Sequence, residues 1–251
     1  MGSLQGQHAL VSGAGSGIGT AIAAALAAEG ARLTFVGRDG GRLERAAAQI
    51  GVRADTVVCD VTDEAAVTAL ATAAGQVDLL VNNVGAAESE PLARTGLELW
   101  RRMLDVNATS AFLLCRAFAP GMVARRAGRI VNLASTAGER GYAYVTAYCA
   151  GKHALVGLTR ALALELAGDG VTVNAVCPGW TETPMLERTV ERIVSLTGRD
   201  ADAARQALLA DNPLGRFVLP EEVASAVAWL CAPAQAAVTG RTITVAGAEV
   251  V

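Results

Sequence analysis

Short apolar, β-branched runs alternate along the chain with longer Ala-rich stretches of helical periodicity. Residues 8–12 read as a buried strand, followed at once by a glycine-rich turn and a helix over about 18–29 that Gly30 stops. Residues 32–36 form the next predicted strand, 43–50 a helix and 56–59 a third strand. Asp63 is placed to cap a helix reaching about Ala74, and 78–82 is strand four. A long helical region covers about 97–124 with an interruption near Asn107. Strand five is 129–134, a long helix follows over 145–167, and 171–176 is strand six. Residues 181–212 are helical but not strand-like, an insertion ahead of the helix 220–231 and a last strand at 242–245. Regular β-α alternation with near-continuous apolar strands predicts an α/β fold, a parallel sheet covered by helices on both faces. No Pro/Ser-rich linker or internal repeat divides the chain, so residues 1–251 read as a single domain.

Composition narrows the class. A chain of 251 residues that is 52% hydrophobic can bury a large core and is not disordered. The formal net charge is -3 and no long basic block occurs, which argues against a nucleic-acid surface. The densest basic cluster, Arg125, Arg126 and Arg129, reads as the solvated end of a helix. Five widely spaced cysteines without CxxC, and only two His, disfavour a metal site and a disulfide framework and suggest a reducing, cytoplasmic setting. No apolar run of about 20 residues lacks a charge or Gly, and the N-terminus lacks the pattern of a signal peptide, so no membrane association is expected. One count stands out: the 21 basic residues are 20 arginines and a single lysine, Lys152.

Candidate chemistry begins at Ser12-Gly13-Ala14-Gly15-Ser16-Gly17-Ile18-Gly19, between the first strand and the first helix. Glycine there allows a tight turn and close backbone approach to a pyrophosphate, and the helix N-terminus offers free N–H groups and a positive dipole end. Strand two ends Phe35-Val36-Gly37-Arg38-Asp39. Gly37 stands where an acid would bind the ribose hydroxyls of NAD, and Arg38 follows with a guanidinium suited to the 2′-phosphate of NADP. NADP(H) is therefore favoured and NAD(H) is the alternative, with Asp39 either a helix cap or a rival anion for Arg38. Asp60 and Val61 end strand three beside the expected adenine, with capping of the next helix as the other role open to Asp60. Asn83 and Gly85 end strand four near the adenosine ribose.

Ser135 closes strand five, and thirteen residues on stands Tyr148, followed four later by Lys152. On a helix that spacing puts the phenol and the ammonium on one face, one turn apart. With these pieces the sequence resembles the short-chain dehydrogenase/reductase family in its compact form. The resemblance rests on SGAGSGIG, CDV, NNVG, Asn107 in DVNATSAF, Ser135 in NLAS, YCAGK and NAVCPGWTETPM, and covers nearly the whole chain. Ser12 stands for the usual Thr and Val84 for the usual Ala, and neither change removes a reacting group. The family implies a Rossmann-like doubly wound sheet of seven strands and a catalytic tetrad that falls on Asn107, Ser135, Tyr148 and Lys152.

The implied reaction moves a hydride between a nicotinamide cofactor and a ketone or secondary alcohol. Tyr148 would be the acid/base, its phenol lowered from about 10 by the positive charge of Lys152 and of the oxidised nicotinamide. Ser135 would hold the substrate oxygen, Lys152 the nicotinamide ribose, and Asn107 a water leading to solvent. Pro178, Gly179, and Thr181 or Thr183 should lie beside the nicotinamide, with the resemblance favouring Thr183 for its carboxamide. Cys149 should point off the Tyr148 face and pack.

Pocket walls are expected from residues 86–96, 136–147 and 180–212. Met185, Leu186, Val190, Ile193, Val194 and Leu196 form an apolar stripe, either a lid over an apolar substrate or ordinary helix packing. Tyr142, Tyr144 and Trp180 add aromatic surface; Glu88, Glu139 and Glu182 are candidate polar contacts. The segments around Trp180 and Pro220 look like bacterial ketoreductases of polyketide and fatty-acid type. NADPH-dependent reduction of a β-ketoacyl thioester or bulky ketone is thus the leading expectation, with Arg125, Arg126 and Arg129 as possible contacts for a carrier protein or CoA. An NAD-dependent alcohol or hydroxyacyl-CoA dehydrogenase is the alternative. A non-catalytic dinucleotide-binding partner subunit is the reading from another class, and the complete set of reacting groups speaks against it. The Ala-rich helices 97–124 and 145–167 suit a homotetramer, or a dimer, built on small-residue faces.

Overall fold

The computed structural model describes residues 2–250. Seven strands form one parallel sheet: β1 (His8–Ser12), β2 (Arg32–Gly37), β3 (Ala54–Val58), β4 (Leu79–Asn82), β5 (Gly128–Leu133), β6 (Val171–Pro178) and β7 (Thr242–Val245). Their order is β3-β2-β1-β4-β5-β6-β7, and every pairing is parallel. The doubly wound sheet expected from the β-α alternation is therefore present. Chain order reverses between β1 and β4, and ligands of open parallel sheets bind in the crevice beyond the strand C-termini at such a point.

The helices are α1 (Ile18–Ala28), α2 (Gly40–Gln49), α3 (Glu64–Ala74), α4 (Leu97–Leu104), α5 (Ser110–Arg125), α6 (Thr146–Leu166), α7 (Pro184–Thr197), α8 (Ala201–Leu209) and α9 (Pro220–Cys231). One apolar core joins α1, α2 and α9 to one sheet face through Ile22, Leu26, Phe35, Leu43 and Val227. A second packs α3, α5 and α6 on the other through Leu10, Leu70, Leu114, Phe118 and Val173. Asp39, Asp63, Thr183 and Asp200 cap α2, α3, α7 and α8 with their side chains.

Several boundaries differ from the apolar pattern for identifiable reasons. α2 begins three residues early because Asp39 caps it, recruiting Gly40-Gly41-Arg42 into the first turn. β3 ends at Val58 rather than Cys59, on the edge of the sheet where only β2 holds it. The insertion 181–212 contains α7 and α8, which close a small core of their own from Leu186, Val190, Ala204 and Phe217.

The continuous helical stretch Leu97–Arg125 spans 29 residues and contains an 18-residue window of mean hydropathy 1.2, long and apolar enough by composition to cross a bilayer, yet half of that window is buried inside the domain. Its interruption is a π turn at Asp105–Thr109 that carries Asn107. π turns inside α-helices frequently mark functional sites. All five cysteines are free and buried.

Candidate active site

The glycine turn leaves β1 with its first N–H bonded back to the sheet: Gly13 N donates to Val36 O at 2.7 Å. Gly13 and Gly17 take φ of 69° and 57°, where an L side chain is strained. A Cβ on Gly19 would lie 2.2 Å from the Gly13 carbonyl oxygen, so only glycine lets α1 start this close to the strand. Ser16 is exposed at the crest of the turn and Ile18 opens α1.

Asn83 locks this turn from the neighbouring strand end. Its Nδ2 donates to Ser12 O and Gly13 O, both at 3.1 Å, while its backbone N–H donates to Ser12 Oγ at 3.0 Å. The Asn83 side chain is thus consumed in bracing the loop, leaving its backbone for any ligand. Ser12 supplies the one hydroxyl this arrangement needs, accepting from Asn83 and donating to Val81 O at 3.3 Å.

At the end of β2, Asp39 accepts from Arg42 N at 3.0 Å and pairs with the Arg42 guanidinium at 3.5 Å. It is therefore a cap and not a rival for Arg38. Arg38 is exposed and has no hydrogen-bond or ion-pair partner among the described residues. Asp60 accepts two bonds from Thr62 on one oxygen, at 3.0 and 2.7 Å. Those bonds, helped by Arg38, hold its carboxyl below the usual range. Capping of α3 belongs to Asp63, so the second Asp60 oxygen stays available. Val61 is buried in the core, so its side chain packs and only its backbone can face the crevice.

The reacting groups converge at the ends of β4 and β5. Asn82 Nδ2 donates to Asn132 Oδ1 at 2.8 Å, and Asn132 Nδ2 donates to Thr159 Oγ1 at 2.8 Å, a buried line that docks α6 on the sheet. Ser135 follows β5 and starts a short 3-10 turn, Thr136–Gly138, accepting from Ala137 N at 3.1 Å. A Cβ on Gly138 would lie 2.9 Å from the Lys152 carbonyl oxygen, so this turn sits directly on the helix carrying Tyr148 and Lys152.

Lys152 is 4% exposed, donates from Nζ to Leu133 O at 2.7 Å, and lies 5.9 Å from the Tyr148 ring centre. Burial lowers its ammonium from 10.5 to about 8. The protein's own groups push the Tyr148 phenol up to about 12. Burial is the larger cause, and a hydrogen bond with Ser135 only partly offsets it.

Asn107 is fully buried in the π turn. Its Nδ2 donates to Ala86 O at 2.8 Å and Met103 O at 3.0 Å, and its Oδ1 accepts from Ala86 N at 3.2 Å. It therefore ties the loop after β4 to the helix break that frees the Met103 carbonyl. A Cβ on Gly85 would meet Asn107 Oδ1 at 3.0 Å and Lys152 Nζ at 3.2 Å. That gap is open only because residue 85 is glycine, and it leaves the loop after β4 directly beside Lys152. Gly151 was not singled out from the sequence, yet its Cβ would come 2.9 Å from Met103 O, so it lets α6 touch the π turn.

Pro178 ends β6, Gly179 N donates to Val245 O, and Thr181 is buried with its hydroxyl on Gly179 O at 2.9 Å. Thr183 caps α7 and lies against the glycine turn, 3.3 Å from the Cβ position of Gly17. This places Pro178–Thr183 and the glycine turn side by side. Arg188 on α7, also not anticipated, lines an open groove with Gly15, Ser16 and Gly17.

The three predicted pocket walls do meet. Glu90 N donates to Tyr144 O at 2.7 Å, Arg192 on α7 donates to Ser89 O at 3.0 Å, and Arg140 pairs with Asp211 at 3.2 Å. Much of the α7 stripe is used internally: Leu186 and Val190, with Ile193, Val194 and Trp180 beside them, pack on Phe217 and α8. Glu88 pairs with Arg102 through both carboxylate oxygens, and Glu139 accepts from Thr244 Oγ1 on one. Arg125 is held by Val77 O and Arg126 by Gly168 O, both at 2.8 Å, while Arg129 turns back on Gly128 O. These contacts brace neighbouring loops, while Arg125 and Arg126 remain exposed at the surface.

A glycine turn at a sheet crossover, with a Ser-Tyr-Lys cluster at the adjoining strand ends, defines a dinucleotide-dependent oxidoreductase. The comparisons agree: a family model described as Enoyl-(Acyl carrier protein) reductase matches residues 13–247. A putative ketoacyl reductase of the granaticin polyketide synthase of Streptomyces violaceoruber is 44% identical over 248 residues, covering 95% of this chain and 91% of that protein. Galactitol 2-dehydrogenase (L-tagatose-forming) of Cereibacter sphaeroides is 41% identical, covering 97% and 95%. A crystal structure of an actinorhodin polyketide ketoreductase variant with NADPH superposes with a TM-score of 0.93 at 41% identity, covering 99% of both chains. The chain belongs to the short-chain dehydrogenase/reductase family and is an oxidoreductase acting on CH–OH groups and ketones.

Proposed function

We propose that this protein is an NADPH-dependent ketoreductase acting on a β-ketoacyl thioester or a similarly bulky, apolar ketone. The observation that carries the reading is the Ser135 turn seated on α6, the helix that carries Tyr148 and Lys152 one turn apart. In reduction the Tyr148 phenol gives its proton to the carbonyl oxygen, and in the reverse direction the same group takes it back. Arg38, exposed and unpaired among the described residues, supports NADP(H) over NAD(H). The similar structures solved with NADPH or NADP point the same way.

The residues present fit a dinucleotide. The glycine turn and the α1 N-terminus would hold the pyrophosphate, Arg38 the 2′-phosphate, and Asp60 and the Val61 backbone the adenine. The backbone at Asn83 and Gly85 would pass the ribose, and Pro178, Gly179, Thr181 and Thr183 would border the nicotinamide. When bound, NADPH supplies the hydride. Ser135 Oγ then donates to the substrate oxygen and stabilises its developing negative charge, and Tyr148 Oη delivers its proton there. Lys152 gives the site a positive charge and a donor for the ribose, while Asn107 keeps the Gly85 loop open beside it. Two hydroxyls aimed at one oxygen suit a carbonyl better than the carbon–carbon double bond implied by the matched model's description.

A thioester on CoA or a carrier protein is the preferred form of the substrate, and cytoplasmic location goes with five buried free thiols. Exposed Phe112 on α5 and Leu164 on α6 support assembly through these helices into a tetramer. The test is a panel of β-ketoacyl thioesters, cyclic ketones, sugars and secondary alcohols assayed with both cofactors. NADPH-dependent ketone reduction, lost by at least about 100-fold in Tyr148→Phe, is the expected result. Faster oxidation of alcohols with NAD would favour the dehydrogenase reading, and undiminished turnover by Tyr148→Phe would remove the tetrad assignment.

A further inference from the structure

The chain end after β7 does not leave the domain. Gly247 and Ala248 take φ of 60° and 67°, turning residues 246–250 back toward the loop that follows β6. A Cβ on Gly247 would lie 2.5 Å from Leu214 Cβ and 2.6 Å from Asn212 Oδ1, so this turn is pressed against the base of the 181–212 segment. Glu249 is 7% exposed, an unusual burial for a carboxylate. One of its oxygens takes the Tyr142 hydroxyl, and its backbone oxygen accepts from Arg140 Nη1 at 3.0 Å. The other carboxylate oxygen has no hydrogen-bond partner among the described residues and lies 2.7 Å from the Cβ position of Gly179.

Tyr142 also bonds Thr136 Oγ1 at 2.8 Å. A phenol has one proton; with the carboxylate receiving it, the Thr136 hydroxyl supplies the second bond. Burial and the neighbouring Glu249 push the Tyr142 phenol well above its ordinary value, so it stays a donor. A buried line therefore runs from Glu249 through Tyr142 to Thr136, the residue after Ser135. Arg140 stacks over the Tyr142 ring at 4.6 Å and pairs with Asp211, tying the same tail to the insertion.

We propose that Glu249 is a positioning residue: through Tyr142 and Thr136 the folded-back chain end holds the turn that carries Ser135 and couples it to the wall of the substrate pocket. This rests on Ser135 orienting the substrate carbonyl, as argued above. A burial this deep of a carboxylate with one unsatisfied oxygen opposes folding. Its retention is accounted for by the tether it makes.

The test compares Glu249→Ala, Tyr142→Phe, their double variant and Glu249→Gln in ketone reduction with NADPH. A shift of the serine by a fraction of an ångström should lower kcat about tenfold in Glu249→Ala and in Tyr142→Phe, with the NADPH Kd unchanged. The double variant should fall no further than either single one, because both break the same line. Glu249→Gln, whose amide oxygen still accepts from Tyr142, should stay within about twofold of wild type. Hydrogen exchange of the amides of 136–140 gives a readout free of turnover: faster in the Ala and Phe variants, unchanged in Gln. If Glu249→Ala does not fold, Tyr142→Phe against Glu249→Gln decides alone. Normal kcat with normal exchange in Tyr142→Phe, or single effects that multiply in the double variant, overturns the tether. A wild type inactive on every ketone would instead overturn the functional reading, with exchange still deciding the tether.

Discussion

Lys152→Met should make the apo protein more tolerant of neutral pH while abolishing its activity. The lysine is buried at 4% exposure, and its ammonium falls from 10.5 to about 8. At about 1.4 kcal/mol for each tenfold step, holding the charge inside opposes folding at pH 7 by about 3 kcal/mol. The sign follows from the proton count. Between pH 8 and 10.5 the unfolded chain keeps a proton that the folded protein releases, so stability rises with pH across that window and is flat below it.

Methionine fills a similar volume without the charge, but leaves the Leu133 carbonyl without its 2.7 Å donor. That loss is worth about 1–3 kcal/mol, so the variant should match or exceed wild type by about 1 kcal/mol at pH 7. Thermal melts of both proteins from pH 7 to 10 isolate the effect, since every other titrating group is shared. At about 2–4 °C per kcal/mol for a chain of this size, the difference in Tm between variant and wild type should move by about 6–12 °C in favour of wild type as pH rises. Parallel Tm curves would refute a buried, depressed ammonium. Turnover should drop by at least about 100-fold at every pH, because no group remains to meet the ribose and charge the site.

Arg38→Ala should weaken NADPH binding by about 10- to 100-fold, the worth of a charge-assisted bidentate contact, and leave NADH binding within a factor of about two. Equal losses for both cofactors would place the 2′-phosphate elsewhere. Gly151→Ala should lower kcat about five- to tenfold, since its Cβ, 2.9 Å from Met103 O, must push α6 off the π turn. The better helix propensity of Ala offsets part of the strain, so stability measured by urea should change by less than about 2 kcal/mol. His8 is buried at the opposite end of the sheet with its pKa lowered, chiefly by burial. Charging it opposes folding, so stability should fall as pH drops below 6.5, and His8→Gln should flatten that slope in acid melts.

Much of this site was legible before any coordinates. The glycine turn, Arg38, Ser135 and the Tyr148/Lys152 pair are local patterns whose chemistry follows from residue type and spacing. Strand and helix order was legible because buried parallel strands are continuous apolar runs and capping residues such as Asp63 mark their helices. Other roles had no local signal. Gly151 and Gly138 read as ordinary small residues until α6, the π turn and the Ser135 turn are seen within 3 Å of one another. Glu88, Glu139, Arg125 and Arg126 have partners far away in the chain, which residue type and spacing could not give.

The lone lysine marks the division well. Sequence alone determined that Lys152 stands one helical turn from Tyr148, because a helix converts a spacing of four into a shared face. Only the tertiary structure decided the electrostatics of that pair. Burial by the surrounding sheet and helices weakens the ammonium and raises the phenol, a contribution that charge proximity by itself leaves out. Desolvation depends on every neighbour a fold brings together, and none of those neighbours is written in the spacing of the motif.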